Sequence, residues 1–164
     1  MRVLGIDPGY ALMGWGVVEG EGSRMRLISC GCVETRKGVP MPDRLRALQL
    51  GIRDVVSIYQ PDEIAFEELF FAHNVTTALM VGAARGAAII AAAEYTDNLY
   101  EYTPMQIKQA VTGYGKADKK QIQQMVKLLL KMDTIPKPDD AADAIACAIT
   151  HCQTGPAKSQ FLMK

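Results

Sequence analysis

Short apolar runs that end in turn residues open the chain and predict β-strands before any helix. Residues 3–7 form the first run, which closes on an aspartate and is followed by Pro8-Gly9, a pair typical of a turn. Apolar runs at 14–18 and 24–35 follow with no helical pattern between them. The first three strands are therefore expected to form an antiparallel meander.

Helical spacing begins after Pro40 and Pro42, where apolar residues recur every three or four positions as far as Tyr59. A fourth strand at 63–69 is apolar first and acidic at its end, like the first strand. The next helix, 74–94, is rich in Ala and Gly, which suits either close packing in the core or a face for self-association. A fifth strand and three further helices are predicted at 98–102, about 104–111, around 122–130 and 139–152.

Length and composition fit one folded domain. The chain has 164 residues, of which 49% are hydrophobic, enough to bury a core. We expect a single domain over residues 1–152 and a polar, flexible tail over 153–164. No apolar run approaches the ~20 residues needed to cross a bilayer, and the first strand begins at once. These features predict a cytoplasmic protein with no membrane segment.

The cysteine spacing indicates reduced, buried thiols. None of the four cysteines forms a Cys-x-x-Cys pair, and Cys30 and Cys32 would share one face of a strand. A zinc site built from Cys147, His151 and Cys152 is a weaker alternative, because its spacing fits no standard zinc finger.

Charge is balanced overall but not along the chain. There are 18 basic and 18 acidic residues, yet the stretch from Lys108 to Lys137 holds seven lysines and only two acids. Within it, residues 112–120 predict a flexible basic loop that carries one aromatic residue. A basic surface beside an acidic pocket suits a polyanionic substrate that is handled with a divalent metal.

Acidic residues stand where strands and a helix begin or end. Asp7 closes the first strand, and Asp140 and Asp143 lie three apart in the first turn of the last helix, on one side of it. Asp7 could simply brace a turn, and acids in a first helical turn gain from the helix dipole. Dipole stabilisation explains Asp139, as a predicted N-cap, better than Asp143. A buried carboxylate pair needs a counter-ion, and Mg²⁺ or Mn²⁺ accepts oxygen ligands.

Several motifs together resemble the RuvC family of bacterial Holliday-junction endonucleases. They are Gly5-Ile6-Asp7-Pro8-Gly9, Glu67 with Phe70, Ala84-Arg85-Gly86, Lys108-Gln109, Asp140-Ala141-Ala142-Asp143 and Ala148-Ile149-Thr150-His151-Cys152. The resemblance implies a ribonuclease-H-like α/β fold, with a five-stranded mixed sheet flanked by helices on both faces. It also implies a homodimer that cuts four-way DNA junctions and works with a branch-migration motor of RuvA and RuvB.

By the same resemblance, Asp7, Glu67, Asp140 and Asp143 would be the catalytic, metal-binding acids. Mg²⁺ or Mn²⁺ would be the cofactor, and two ions per site would suit phosphodiester hydrolysis. From the sequence alone, Glu68 remains an alternative to Glu67. The residues expected to contact DNA are Phe70, Lys108, Tyr114, Lys116, Lys119 and Lys120, although Phe70 could instead be a core aromatic.

Two other functions are alternatives to a junction nuclease. A sugar-kinase or actin-like ATPase also begins with a strand, an aspartate and a glycine turn, but such proteins normally need two domains. A non-catalytic, structure-specific DNA-binding module is the second alternative. Four bare carboxylates argue against it, because they repel DNA.

Overall fold

The computed structural model describes residues 1–21, 23–69 and 74–164. Its strands are β1 (Arg2–Asp7), β2 (Leu12–Glu21), β3 (Arg24–Glu34), β4 (Glu63–Glu67) and β5 (Leu99–Tyr102). Its α-helices are α1 (Met41–Tyr59), α2 (Val75–Ala93), α3 (Pro104–Thr112), α4 (Lys119–Leu129) and α5 (Asp139–Thr154), followed by a 3-10 helix at Gly155–Phe161.

The strands form one mixed sheet in the order β3-β2-β1-β4-β5. β1, β2 and β3 pair antiparallel, as the meander predicted, whereas β4 and β5 run parallel to β1. Helices cover both faces. The ribonuclease-H-like α/β fold expected from the sequence is therefore confirmed.

Each face of the sheet has its own apolar core. On one face, alternate strand residues such as Leu4, Ile6 and Phe66 pack against α1 and α2. On the other, Val3 and Ala65 belong to a second cluster with α3, α4 and α5. This division follows from the strand repeat, because successive side chains point to opposite faces.

Glycines let α5 lie directly on the strands. A Cβ atom at Gly5 would lie 2.0 Å from the backbone oxygen of Ala144, and one at Gly14 would lie 2.0 Å from that of Asp140. Gly16 is similarly covered by Ile145. The helix presents alanines to this surface, so two backbones come closer than larger side chains would allow.

The helix α2 differs in one respect from what its sequence predicted. It is 19 residues long and apolar enough, by length and composition alone, to cross a membrane, whereas no run was expected to reach that length. Its buried residues Ala84, Ala88 and Ala91 belong to the same core cluster as α1. On its outer side Val75, Leu79 and Ile90 remain exposed.

The C-terminal residues do not form the flexible tail that their polarity predicted. The helix α5 continues to Thr154, and the 3-10 helix that follows places Phe161 4.7 Å from the ring of Tyr102. Beyond it, the amide of Met163 donates to the carbonyl of Leu99 at 2.8 Å. The segment is held by contacts distant in sequence, which its own composition does not reveal.

Candidate active site

Two of the predicted acids lie together at one edge of the sheet. Asp7 is the last residue of β1, and Glu67 is the last residue of its parallel neighbour β4. The strands are in register, with Ile6 opposite Phe66. Because parallel strands end at the same edge, both carboxylates face the space beyond it, where α/β sheets place their ligands.

The first turn of α5 brings the other two acids to this edge. Gly14 pairs with Asp7 across β1 and β2, and the backbone oxygen of Asp140 lies directly over Gly14. Asp143 lies one helical turn further on and is partly buried. The close packing of α5 on glycine therefore positions both aspartates beside Asp7.

The four carboxylates share one electrostatic field. Burial raises the pKa of Asp7 to about 8, and the charges of Glu67, Asp143 and Asp140 add to the shift. Burial and the charge of Asp143 raise the pKa of Glu67 to about 7. Burial also raises the pKa of Asp143 above its usual range. Such mutual repulsion without enough positive charge is typical of a functional site.

The donor set fits a hard divalent cation, because every group is a carboxylate oxygen donor. Within the described part of the chain, however, no group of three or more His, Cys, Asp and Glu side chains forms a ready-made metal cage. The four carboxylates thus interact through their charges, but they are not close enough together to form a preformed metal site.

Glu68 is separated from this field. Its backbone amide donates to the carbonyl of Tyr102 at 2.8 Å, and its carboxylate is not among the charges that shift Asp7 or Glu67. The structure therefore places Glu67, and not its neighbour, with Asp7 and Asp143.

A cleft of about 270 Å³ opens between the acids and the basic helices α3 and α4. Glu67 and Asp143 line one side, and Lys108 and Lys119 line the other. Both lysines are fixed by well-capped helices. The caps are reciprocal side-chain and backbone hydrogen bonds between Thr103 and Gln106 at α3, and between Asp118 and Gln121 at α4.

Lys119 forms salt bridges with Asp143 and Asp139. Its Nζ lies 3.1 Å from Oδ2 of Asp143 and 3.7 Å from Oδ2 of Asp139. Although burial lowers the pKa of Lys119, the hydrogen bond and charge of Asp143 outweigh it and hold that pKa above its usual value. The sequence analysis predicts that Lys119 contacts a DNA phosphate, whereas the structure pairs it with a carboxylate.

The other predicted DNA contacts do not line this cleft or lie outside the described residues. Tyr114 and Lys120 line a separate groove of about 430 Å³, and Tyr114 is 56% exposed. Lys116 is also exposed. Phe70 lies outside the described residues.

The predicted N-cap of the last helix is wrong. Pro138 occupies the cap position, and Asp139 is already the first helical residue. Oδ1 of Asp139 instead accepts a hydrogen bond from Nε2 of Gln123 at 3.0 Å, which ties α5 to α4. An aspartate that follows a proline looks like an N-cap in the sequence. The sequence does not show that its side chain has a partner on another helix.

His151 belongs to a polar network at the opposite end of α5, which sequence reasoning missed. Its Nδ1 lies 2.7 Å from the hydroxyl of Tyr102, and its Nε2 lies 2.6 Å from Oε2 of Glu63. Lys158 completes the network by donating to Glu63. The alternative zinc site with Cys147 and Cys152 is wrong for these residues, because both ring nitrogens already have partners. The signal available in the sequence was Glu63, an acid at the start of an otherwise apolar strand.

The fold and this carboxylate set together define a ribonuclease-H-like protein. Residues 3–151 match the family model described as "Crossover junction endodeoxyribonuclease RuvC". The chain is 49% identical over 164 residues to the protein of that name from Alkaliphilus metalliredigens, covering 100% of both chains. It is 55% identical over 153 residues to that from Brevibacillus brevis, covering 93% of this chain and 92% of the other. The chain therefore belongs to the RuvC family.

Solved structures agree with this assignment. Thermus thermophilus RuvC matches with a TM-score of 0.87 at 38% identity, over 96% of each chain. The same protein in complex with a Holliday junction substrate matches with a TM-score of 0.90 at 37% identity, over 98% of this chain and 96% of the other.

Proposed function

We infer that this chain is a divalent-metal-dependent endodeoxyribonuclease that resolves four-way DNA junctions in recombination and repair. One observation carries the inference: the ends of β1, β4 and α5 bring together carboxylates whose pKa values are raised by burial and by mutual repulsion, although the nearby lysines lower them in part. Membership of the RuvC family, and likeness to a relative solved with a Holliday junction substrate, supply the substrate class.

Asp7, Glu67, Asp140 and Asp143 are proposed to hold two Mg²⁺ ions, with Mn²⁺ as an alternative. The chemistry supplied by such bound ions is activation of an attacking water and stabilisation of the leaving 3′ oxygen. The charges of Glu67 on the sheet and of both aspartates of α5 act on Asp7, so Asp7 would hold metal together with either partner set.

The residues around the cleft then hold the scissile strand. Water oxygen bonds to phosphorus, the bond from phosphorus to the 3′ oxygen breaks, and a proton passes to that oxygen. The products are a 5′ phosphate and a 3′ hydroxyl. Lys108 on the cleft wall is suited to a backbone phosphate.

A wider DNA footprint is proposed along the basic surface. Lys116 and Lys120 are exposed and suit phosphates, and Lys119 would join them once it leaves Asp143. Tyr114 presents an exposed ring that can stack on an unpaired base, an interaction worth about 1–3 kcal/mol. Phe70 is likewise proposed to stack on an unpaired base, at the junction crossover.

The protein is proposed to act as a homodimer, because a two-fold dimer matches the near two-fold symmetry of a four-way junction. The outer side of α2 supports this, since Val75, Leu79 and Ile90 are 72%, 70% and 57% exposed. Ala87 lies in a groove between α1 and α2 beside Ile90. Ala87→Trp is expected to favour monomers in sedimentation, and a wild-type protein that is itself monomeric would contradict the proposal. The protein is also proposed to cooperate with the RuvA and RuvB branch-migration motor. It would act in the cytoplasm, where the DNA lies.

Cleavage of a synthetic junction tests the function. The wild-type protein with Mg²⁺ should introduce paired nicks, and chelator should abolish them. At pH 8 or above, Asp7→Asn should still bind the junction in chelator, because it removes a negative charge that faces DNA. With Mg²⁺ it should cut the junction slower by orders of magnitude. Binding without any metal-dependent cleavage by the wild type would favour the non-catalytic DNA-binding module.

A further inference from the structure

The contact between Lys119 and Asp143 has a consequence for how the site is loaded. The ammonium group of Lys119 lies against a carboxylate that the proposed function assigns to a metal ion, at 3.1 Å. Its charge also acts on Asp7 and Glu67 and partly offsets the rise in their pKa values. One lysine thus partly neutralises the whole acidic cluster.

The attachment of Lys119 allows this charge to move. Its backbone is fixed as the first residue of α4, next to the N-cap Asp118. Its side chain is flexible and 51% exposed, whereas Asp143 is only 24% exposed. A lysine has four rotatable side-chain bonds and a compact ammonium, so it can leave a carboxylate without any change in the fold.

We propose that Lys119 is an exchangeable counter-ion, which occupies the acidic cluster in the metal-free protein and is displaced from Asp143 when divalent metal binds. The inference rests on the proposed function, because it takes Asp143 as a metal ligand. Displacement frees a positive charge at the mouth of the cleft, where the phosphate backbone arrives. Metal loading and affinity for DNA are thereby coupled through one side chain.

Competition follows directly from this exchange. A cation that must be expelled weakens the binding of the cation that replaces it, so removing Lys119 should tighten metal binding. The opposite holds if Lys119 only supports the loaded site, since its loss would then weaken metal binding. The two roles predict opposite signs for one measurable constant.

Calorimetric titration of the free protein with Mg²⁺ at low salt, without DNA, measures that constant. Lys119→Ala is expected to bind Mg²⁺ about three- to tenfold more tightly than the wild type, as removal of one nearby positive charge suggests. Lys120→Ala is the matched control, because Lys120 follows directly in α4 and forms no salt bridge within the described residues. It should bind as the wild type does. Equal or weaker binding by Lys119→Ala would overturn the exchange.

Movement of the side chain gives a second readout. Reductive methylation with ¹³C keeps the lysine charge and labels each lysine for NMR, and Lys119→Arg identifies the signal of Lys119. That signal should shift during the Mg²⁺ titration and saturate with the calorimetric affinity, while the signal of Lys120 stays in place. An unchanged Lys119 signal under metal saturation would overturn the proposal and leave the nuclease function intact. Absence of any metal binding would remove both.

Discussion

The two ends of α5 carry titratable side chains in opposite electrostatic conditions. At the start of the helix, Asp140 and Asp143 join Asp7 and Glu67, and burial and mutual repulsion raise the pKa of Asp7 to about 8. At its end, His151 has a partner on each ring nitrogen, and Lys158 balances the charge of Glu63.

The difference separates a site from a structural network. Hydrogen bonds and charges within the protein satisfy the His151 network, so nothing from outside is needed there. The acidic cluster has only partial compensation and gains stability from any cation that enters it. One helix thus connects a polar network that is balanced within the protein to a carboxylate cluster that is only partly balanced.

The largest expected effect concerns Glu67. Glu67→Gln should reduce single-turnover junction cleavage at least about 100-fold, equivalent to about 2.7 kcal/mol of transition-state stabilisation. Glu68→Gln is the matched control, since that carboxylate lies outside the acidic field. Comparable losses in the two variants would contradict the separation of these neighbours.

Removal of Glu63 should affect stability and not catalysis. Glu63→Ala removes the carboxylate that lies 2.6 Å from Nε2 of His151, a side chain that is fully buried. Burial lowers the pKa of His151, so the imidazole is neutral and the variant loses a buried hydrogen bond. This loss should lower the free energy of unfolding by about 1–3 kcal/mol, as urea denaturation would measure. Cleavage per folded molecule should be unchanged. Loss of cleavage in the folded variant would mean that the two ends are functionally coupled.

The two ends should also respond oppositely to pH. The folded protein keeps protons on Asp7 and Glu67 where the unfolded chain releases them, so without metal the free energy of unfolding should fall as pH rises from about 4 to about 8. Burial opposes ionisation of Glu63, but Lys158 and His151 outweigh it and lower its pKa. Its contribution is therefore lost as pH falls below about 4.5.

A series of urea denaturations in chelator across this range checks the sign. Asp7→Asn should flatten the decline between pH 5 and 8, because it removes the group with the largest shift in this region. Each pKa unit corresponds to about 1.4 kcal/mol. A wild-type protein whose stability rises steadily over that interval would contradict the account.

The smallest effect is expected where the 3-10 helix meets the sheet. Phe161→Ala removes a ring that packs against Tyr102 with centroids 4.7 Å apart. Loss of this contact should cost about 1–2 kcal/mol in urea denaturation, with cleavage unchanged. No change in stability would mean that the C-terminal segment contributes little to the folded state.

Sequence patterns predicted most of the fold because its elements are locally determined. The apolar run of β1 and the helical spacing of α1 need no distant partner to be recognised. The acidic cluster was also accessible, since Asp7, Asp140 and Asp143 stand at element ends that an α/β sheet brings together.

Features that depend on distant contacts were missed. The salt bridge from Lys119 to Asp143 requires α4 to lie beside α5, whereas the family resemblance and the basic stretch assigned that lysine to DNA. The partners of His151 come from β4, β5 and the C-terminal segment, so the helix around it gives no sign of them. The apolar residues of β2 predict a strand, but its glycines do not reveal the helix that packs on them.

The free energy of unfolding of wild type and Asp7→Asn, each with chelator and with saturating Mg²⁺ at pH 8, tests the central claim most directly. The account predicts that Asp7→Asn is at least as stable as the wild type in chelator, because repulsion is relieved. It also predicts that Mg²⁺ stabilises the wild type more than the variant. An Asp7→Asn protein that is clearly less stable in chelator, beside a wild type that Mg²⁺ does not stabilise, would show that Asp7 braces a turn and holds no metal.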